Sequence, residues 1–341
     1  MLLRVFAPFS FAWAIAAFVA PAWGQAASGA ASAPPSEARA WLLRIHDAAS
    51  RRNFQGTFIV SGGGAMASAR IAHFFEGPNQ YERIESLDGR QRKVYRHNDV
   101  VQTVWPGSHI AMIEQRGMLS SFPALLQVGD DGISEWYDVH ADGVDRVAGH
   151  DANVLVVRAR DTIRYGYRLW ADRASGLLLR ADVVAVNGEV LETSAFSDVA
   201  IGIRSQPEIV VHAMKRLDGY RVVRPVLTPT RLDAEGWSMR APAPGFRQVS
   251  CVRRQMESPG DAAADASQPP VIQSIYSDGL TYVSVFIEPF RADRHARPLL
   301  AVMGATSTLA QRQGDFWITV VGDTPVATLK TFFGALERRK P

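Results

Sequence analysis

Apolar and polar residues alternate from Ile163 to Leu169, the chain turns at Asp172 to Gly176, and Leu177 to Val186 then reads as a strand. Asn187-Gly188 turns the chain again, and Glu189 to Phe196 returns. A period of two sends successive side chains to opposite faces of a strand. Asn-Gly readily adopts the positive φ angles of a two-residue hairpin. This stretch therefore demands a meander of antiparallel strands. One face carries Ile163, Tyr165, Tyr167 and Leu169, and the other carries Arg164 and Arg168. A sheet with one bulky apolar face has to cover it.

The covers are few. Ser36 reads as the cap of a helix whose stripe is Ala38, Trp41, Leu42, Ile45 and Ala49, ending near Arg51. Ser120 to Val128, with Phe122, Leu125 and Leu126, is expected to form a second helical cover. Between them lie β runs at Gly56–Val60, His73–Glu76, Val94–His97 and Val100–Trp105, with turn pairs at Asp88-Gly89 and Asn98-Asp99. Gly62-Gly63-Gly64 reads as a hairpin turn, because it lacks the strand-to-helix context of a phosphate cradle. So much strand with so little helix predicts a strongly curved sheet that closes over the gap and leaves an apolar hollow.

Residues 218–235 contain Pro225 and Pro229 between stretches of no clean period and read as an interdomain linker. A second domain is expected over 236–341. Its strands are Phe246–Arg253, Ile272–Tyr276, Leu280–Ile287, Ala305–Ala310 and Phe316–Val321, with a loop at 257–270. A last helix is expected with Thr324 as cap and Pro325 at its first position. Its apolar face is Val326, Leu329, Phe332, Phe333 and Leu336.

The N-terminus sets the compartment. Arg4, an apolar run from Val5 to Val19 broken by Pro8 and Ser10, then Pro21 and Ala22-Trp23-Gly24, make the three parts of a secretory signal peptide. Cleavage is expected after Gly24, with Ala20 as the alternative. Residues 25–35 read as a disordered leader. The one cysteine, Cys251, permits no internal disulfide and no thiolate metal cluster, and it reads as a buried structural thiol. Net charge is +3, and 33 of the 37 basic residues are arginines spread along the chain. This excludes a nucleic-acid footprint. From Gly236 onward basic residues outnumber acidic ones by 12 to 9, which fits a mildly positive second domain.

Catalytic signatures are missing: no G-x-S-x-G, H-E-x-x-H, S-x-x-K or Walker loop is found. The histidines are scattered, and the acidic stretch at Asp130-Asp131, Asp138, Asp142 and Asp145 lacks calcium-loop register and reads as a solvated loop. The expectation is a binding protein without metal or cofactor, not an enzyme.

Several blocks together resemble the MucB/RseB family of periplasmic regulators of the envelope-stress sigma factor. They are NFQGTFIV at 53–60, ERIESLDGRQRKVYRHND at 82–99, YRLWADRASGLLLRADVVAVNGEVLE at 167–192, APGFRQVS at 243–250, IYSDGLTYVSVFIEP at 275–289 and ITVVGDTP at 318–325. The resemblance implies a β-rich α+β fold: a half-open antiparallel β-barrel over 36–217, like periplasmic lipoprotein carriers, and a smaller C-terminal α+β domain. It implies binding to the periplasmic part of a transmembrane anti-sigma factor, which shields that partner from regulated proteolysis. It also implies release on envelope stress, through lipid or lipopolysaccharide. Two other readings stay open: a periplasmic lipid or lipoprotein carrier, resting on the first domain alone, and an exported hydrolase. Homo-oligomerisation is also left open.

For the lipid hollow the candidates are Phe58, Val60, Phe74, Val104, Trp105, Leu169 and Val183, apolar residues of the first domain's strands. For the partner they are Arg253, Arg254, Tyr276, Asp278, Leu280, Tyr282 and Phe286, because arginines and aromatics are common binding anchors. Each apolar candidate also has an ordinary use as core packing.

Overall fold

The computed structural model describes residues 35–115, 133–254, 270–295 and 297–339. The expected signal peptide, the expected leader up to Pro34, the helix expected at Ser120–Val128 and all but the last residue of the loop expected at 257–270 lie outside the described residues.

The chain opens with helix α1 (Pro35–Arg51). Because the helix starts at Pro35, Ser36 falls inside its first turn and is not its cap. Six strands follow: β1 (Phe54–Gly62), β2 (Ala65–Glu76), β3 (Asn79–Ser86), β4 (Lys93–His97), β5 (Val100–Trp105) and β6 (Ile110–Gln115). The short α2 (Ile133–Trp136) leads into β7 (Tyr137–Val147), β8 (His150–Ala159), β9 (Gly166–Asp172), β10 (Leu178–Val184) and β11 (Val190–Ile201). Helix α3 (Glu208–Lys215) and strand β12 (Arg221–Val223) complete the first unit. These strands make one 12-stranded sheet in the order β12-β6-β5-β4-β3-β2-β1-β11-β10-β9-β8-β7. Among the described residues its ends, β12 and β7, do not pair, so the barrel is half-open. The expected turns are present: Gly63 and Gly64 of the β1–β2 hairpin, Asn98 and Gly188 all have positive φ.

Two helices cover the two faces of this sheet. Leu42 and Ile45 of α1 pack with Leu155, Leu169 and Leu178, and Ala48 packs with Phe54, Phe58 and Phe196. On the opposite face Val210 of α3 packs with Phe74, Tyr95 and Val104. Of the acidic stretch expected as a loop, Asp130-Asp131 are outside the described residues, and Asp138, Asp142 and Asp145 lie on strand β7 instead. Its carboxylates are used locally: Asp138 pairs with Arg160 at 2.7 Å, Asp142 with Arg168 at 2.9 Å, and Asp145 accepts Trp170 Nε1–H at 2.9 Å.

Residues 218–235 are not a bare linker. They supply β12 to the first sheet, parallel to β6, and β13 (Leu227–Pro229) to the second, antiparallel to β15 (Arg247–Arg254). Strands of three residues are too short to show a period. Between β13 and β15 lies β14 (Trp237–Met239). The remaining elements are β16 (Val271–Ser277), β17 (Tyr282–Pro289), β18 (Leu299–Met303), β19 (Thr306–Gln313), β20 (Phe316–Gly322), α4 (Val326–Ala335) and β21 (Leu336–Arg338). The second sheet runs β13-β15-β16-β17-β20-β19-β18, and β14 pairs with β21. Leu329 and Phe332 of α4 pack onto Val283, Val285, Ile287, Ile318 and Val320. Pro325, extended at ψ 147°, takes the cap position expected for Thr324. Thr324 is buried, its hydroxyl has no hydrogen-bond partner among the described residues, and its carbonyl accepts the Ser307 Oγ–H at 2.9 Å. Cys251 is free and half-buried against this core.

Candidate functional site

Strand register decides which predicted hollow residues share a face. Val60 pairs with Ser194, and the same row continues through Ala181 and Leu169 to Leu155. Two residues along, Gly62 pairs with Glu192, and that row continues through Val183 to Tyr167. Phe58, Val60, Leu169 and Val183 therefore lie on the concave face, under α1. Alternation along β5 puts Trp105 on that face too. Phe74 and Val104 are on the other face, beneath α3. The expected set of seven is thus split. The reason is parity: on β2 it is His73 that pairs with Phe54 of the concave face, so Phe74 must point away.

The concave face is also less greasy than expected. A single row crosses five strands: His73, Glu82, Arg96, Val101 and Glu114, all buried. Burial pushes the Glu82 carboxyl up to about 7, against the pull of Arg96. Burial likewise lowers the His73 imidazole, whose Nδ1 lies 2.8 Å from the Arg52 carbonyl oxygen. At the end of the row the Glu114 carboxylate meets Arg254 of the second sheet at 3.6 Å.

That contact is one end of a seam between the two domains. The middle is held by Arg164, fully buried in the loop before β9. Its Nε–H donates to Asp278 Oδ2 at 2.7 Å, its other nitrogens reach Asp161 and the Pro244 carbonyl, and its guanidinium stacks over the rings of Trp136 and Phe246. Tyr137 Oη–H donates to the same Asp278 oxygen at 2.8 Å. The other Asp278 oxygen accepts the backbone N–H groups of Leu280 and Thr281 at 3.0 and 2.9 Å. Burial, and after it the Asp278 charge, holds the Tyr137 hydroxyl well above the ordinary phenol range. Leu280 inserts into the first domain's core beside Tyr137 and Leu169. Tyr165 and Tyr167 sit beside Ser307 and Thr281 of the second domain, and burial raises both hydroxyls above the ordinary phenol range. Thr328 Oγ1–H donates to the Ile163 carbonyl at 2.7 Å. Gly245 has φ +81°, and a Cβ there would come within 2.6 Å of Trp136, so the seam requires glycine at this point.

The predicted partner residues therefore divide. Tyr276, Asp278 and Leu280 are buried, the last two within the seam, so they hold the domains together and offer no free surface. Arg254 faces Glu114 in the same seam. Tyr282 and Phe286 are half-buried, on the sheet face opposite α4. Arg253 lies on the α4 side, exposed and paired with Glu235 at 2.6 Å. Sequence reasoning missed Arg164, because alternation with Tyr165 assigned it to a solvated face. No local signal marks an arginine whose partner lies more than 100 residues away.

An apolar cavity of about 340 Å³ opens at the far end of the seam. Val60, Gly62 and Met66 of the first domain line it, together with Ala301 and Met303 of the second. Glu192 supplies a carboxyl, pushed upward by burial and then by the nearby Asp323. Among the predicted hollow residues only Val60 reaches this cavity. Among the described residues no three His, Cys, Asp or Glu side chains gather as a metal site.

Profiles of two families match this chain: the MucB/RseB N-terminal domain over residues 37–214 and the MucB/RseB C-terminal domain over 231–337. The chain belongs to the MucB/RseB family. It is 29% identical over 306 residues to the sigma factor AlgU regulatory protein MucB of Pseudomonas aeruginosa, covering 86% of this chain and 88% of that one. It is 26% identical over 304 residues to the sigma-E factor regulatory protein RseB of Escherichia coli K12, covering 89% and 91%. A solved structure of MucB in complex with the periplasmic part of MucA matches with TM-score 0.64 and 26% identity, over 89% of this chain and all of that one. The Pseudomonas aeruginosa MucA/MucB complex matches with TM-score 0.65 and 27% identity, over the same shares.

Proposed function

We propose that this protein is a periplasmic regulatory binding protein, not an enzyme. It occupies the periplasmic domain of a MucA-type membrane anti-sigma factor, shields it from regulated proteolysis, and releases it when lipid or lipopolysaccharide accumulates. The observation that carries this reading is the match to MucB solved with MucA, over 89% of this chain and all of that one. Shielding needs only affinity for the partner. The concave face and the seam cavity are the surfaces offered to lipid, with Val60 at the junction. A lipid carrier resting on the first domain alone would not need a second domain pinned to it through Asp278 and Leu280.

The test is protection. The mature chain is incubated with the cognate anti-sigma periplasmic domain and its regulatory protease, and cleavage is followed by gel. Cleavage is expected to slow in proportion to the fraction bound and to recover on adding lipopolysaccharide. Unchanged cleavage at saturating protein would refute the proposal.

A further inference from the structure

Strand β18 ends the second sheet. β19 pairs with one side of it, and among the described residues no strand pairs with the other. Its sequence, Leu-Leu-Ala-Val-Met, has no charge and no proline, and its register with β19 runs without a bulge. Natural sheet edges are usually blunted by one of those devices, because a bare edge recruits another strand. Among the described residues the edge is bare and apolar on both faces. Leu300 is 53% exposed, Val302 57% and Met303 47%. Leu300 pairs with Leu309, so Leu300 and Val302 extend the face that α4 covers further in. Ala301 and Met303 alternate to the other face and line the 340 Å³ cavity, opposite Val60 and Met66 of the first domain.

We propose that the anti-sigma partner adds an extended segment to the outer edge of β18 as an eighth strand, seating one apolar side chain in the cavity between the domains. This rests on the partner reading above and locates part of it. The occupant must be polypeptide, since a free row of N–H and C=O groups is matched in register only by another backbone. An acyl chain would fill the cavity and leave that row unused. The occupant is also not a second copy paired edge to edge. Glu192 sits in the cavity wall with Asp323 nearby, and Asp323 Oδ1 accepts Thr306 Oγ1–H at 2.6 Å. Two carboxyl groups there favour a segment carrying lysine or arginine beside its apolar anchor. β18 itself carries neither.

Hydrogen exchange on the full mature chain tests this, with and without the cognate MucA-type periplasmic domain. The amides of Leu299–Met303 are expected to become protected in the complex. Val302→Lys, which changes an exposed side chain, should weaken binding at least tenfold and shift the melting temperature by no more than about 2 °C. A complex that forms with no protection at β18, and that Val302→Lys binds equally well, overturns the inference and leaves the partner reading standing. Failure of the unmodified chain to bind the periplasmic domain at all overturns the partner reading itself. Protection of β18 that grows with protein concentration in the absence of partner assigns the edge to a second copy and refutes the proposed occupant.

Discussion

At the scale of single residues the decisive group is Arg164. Its guanidinium and the Asp278 carboxylate are both wholly out of solvent and pair directly, with the part-exposed Asp161 as a second carboxylate on Arg164. Removing one member of a buried pair leaves the other charge uncompensated, at a cost of about 3–5 kcal/mol, whereas removing both at once is far milder. Arg164→Ala is therefore expected to lose about 3–5 kcal/mol in urea unfolding, and Arg164→Met with Asp278→Leu to recover most of it. A simple sum of the two single losses would contradict the pairing. Glu82 makes the opposite kind of prediction. Its folded pKa of about 7 lies above the ordinary carboxyl value of 4.5, so the folded state holds a proton that the unfolded state has already released. Its contribution thus favours folding at low pH and fades as pH rises through the window from 4.5 to 7. His73, lowered by burial, acts in the reverse sense: its contribution is lost as pH falls below 6.5. Glu82→Gln should remove the first of these slopes and gain about 1–3 kcal/mol at pH 8, measured by urea unfolding at pH 5 and pH 8. An unchanged pH profile would show that Glu82 is solvated in the folded protein.

At the scale of elements, α1 is the piece on which the concave face depends. Ile45 is fully buried and sits with Leu42 in the core of β8, β9 and β10. Ile45→Ala is expected to cost about 2–4 kcal/mol in thermal or urea unfolding, as cavity formation in a packed core does. A loss below about 0.5 kcal/mol would mean that α1 is a loose cover. This helix was legible in the sequence because its stripe repeats at helical spacing. The strands β9 to β11 were legible because a turn of known chemistry separates each pair. Short or lopsided elements were not. β12, β13, β14 and β21 are three residues each. β18 is uniformly apolar, so it has no alternation to show, although its bareness is what gives it interest.

At the scale of the whole molecule, two domains are fastened along a seam that includes Arg254 to Glu114, Arg164 to Asp278, Thr328 to the Ile163 carbonyl, and the walls of the Val60–Met303 cavity. Asp278→Ala removes the central fastening and the acceptor of Tyr137, and it should widen the molecule in solution. Small-angle scattering would register this as a larger radius of gyration, and an unchanged radius would assign the seam's strength to Leu280 and the outer contacts. Linkage adds a second expectation. If lipid weakens the partner complex by some factor, the partner must weaken lipid binding by the same factor. Titrating lipid into the free chain and into the complex checks this equality, and partner-independent lipid affinity would rule out lipid as the releasing signal.

The sequence by itself determined what depends on neighbours along the chain: strands where side chains alternate, turns at Asn-Gly and Gly-Gly-Gly, helices where apolar residues recur at helical spacing, and the grouping into two β-rich units. Only the tertiary structure decided what depends on register and on distant partners. A one-residue change of parity sends Phe74 to α3 while its neighbour His73 joins the buried charged row. Asp278, a candidate for partner contact in the sequence, is a buried pin because Arg164 comes to it from 114 residues away. Local propensity is written in adjacent residues, whereas a charge becomes structural or functional only when the fold removes water from around it.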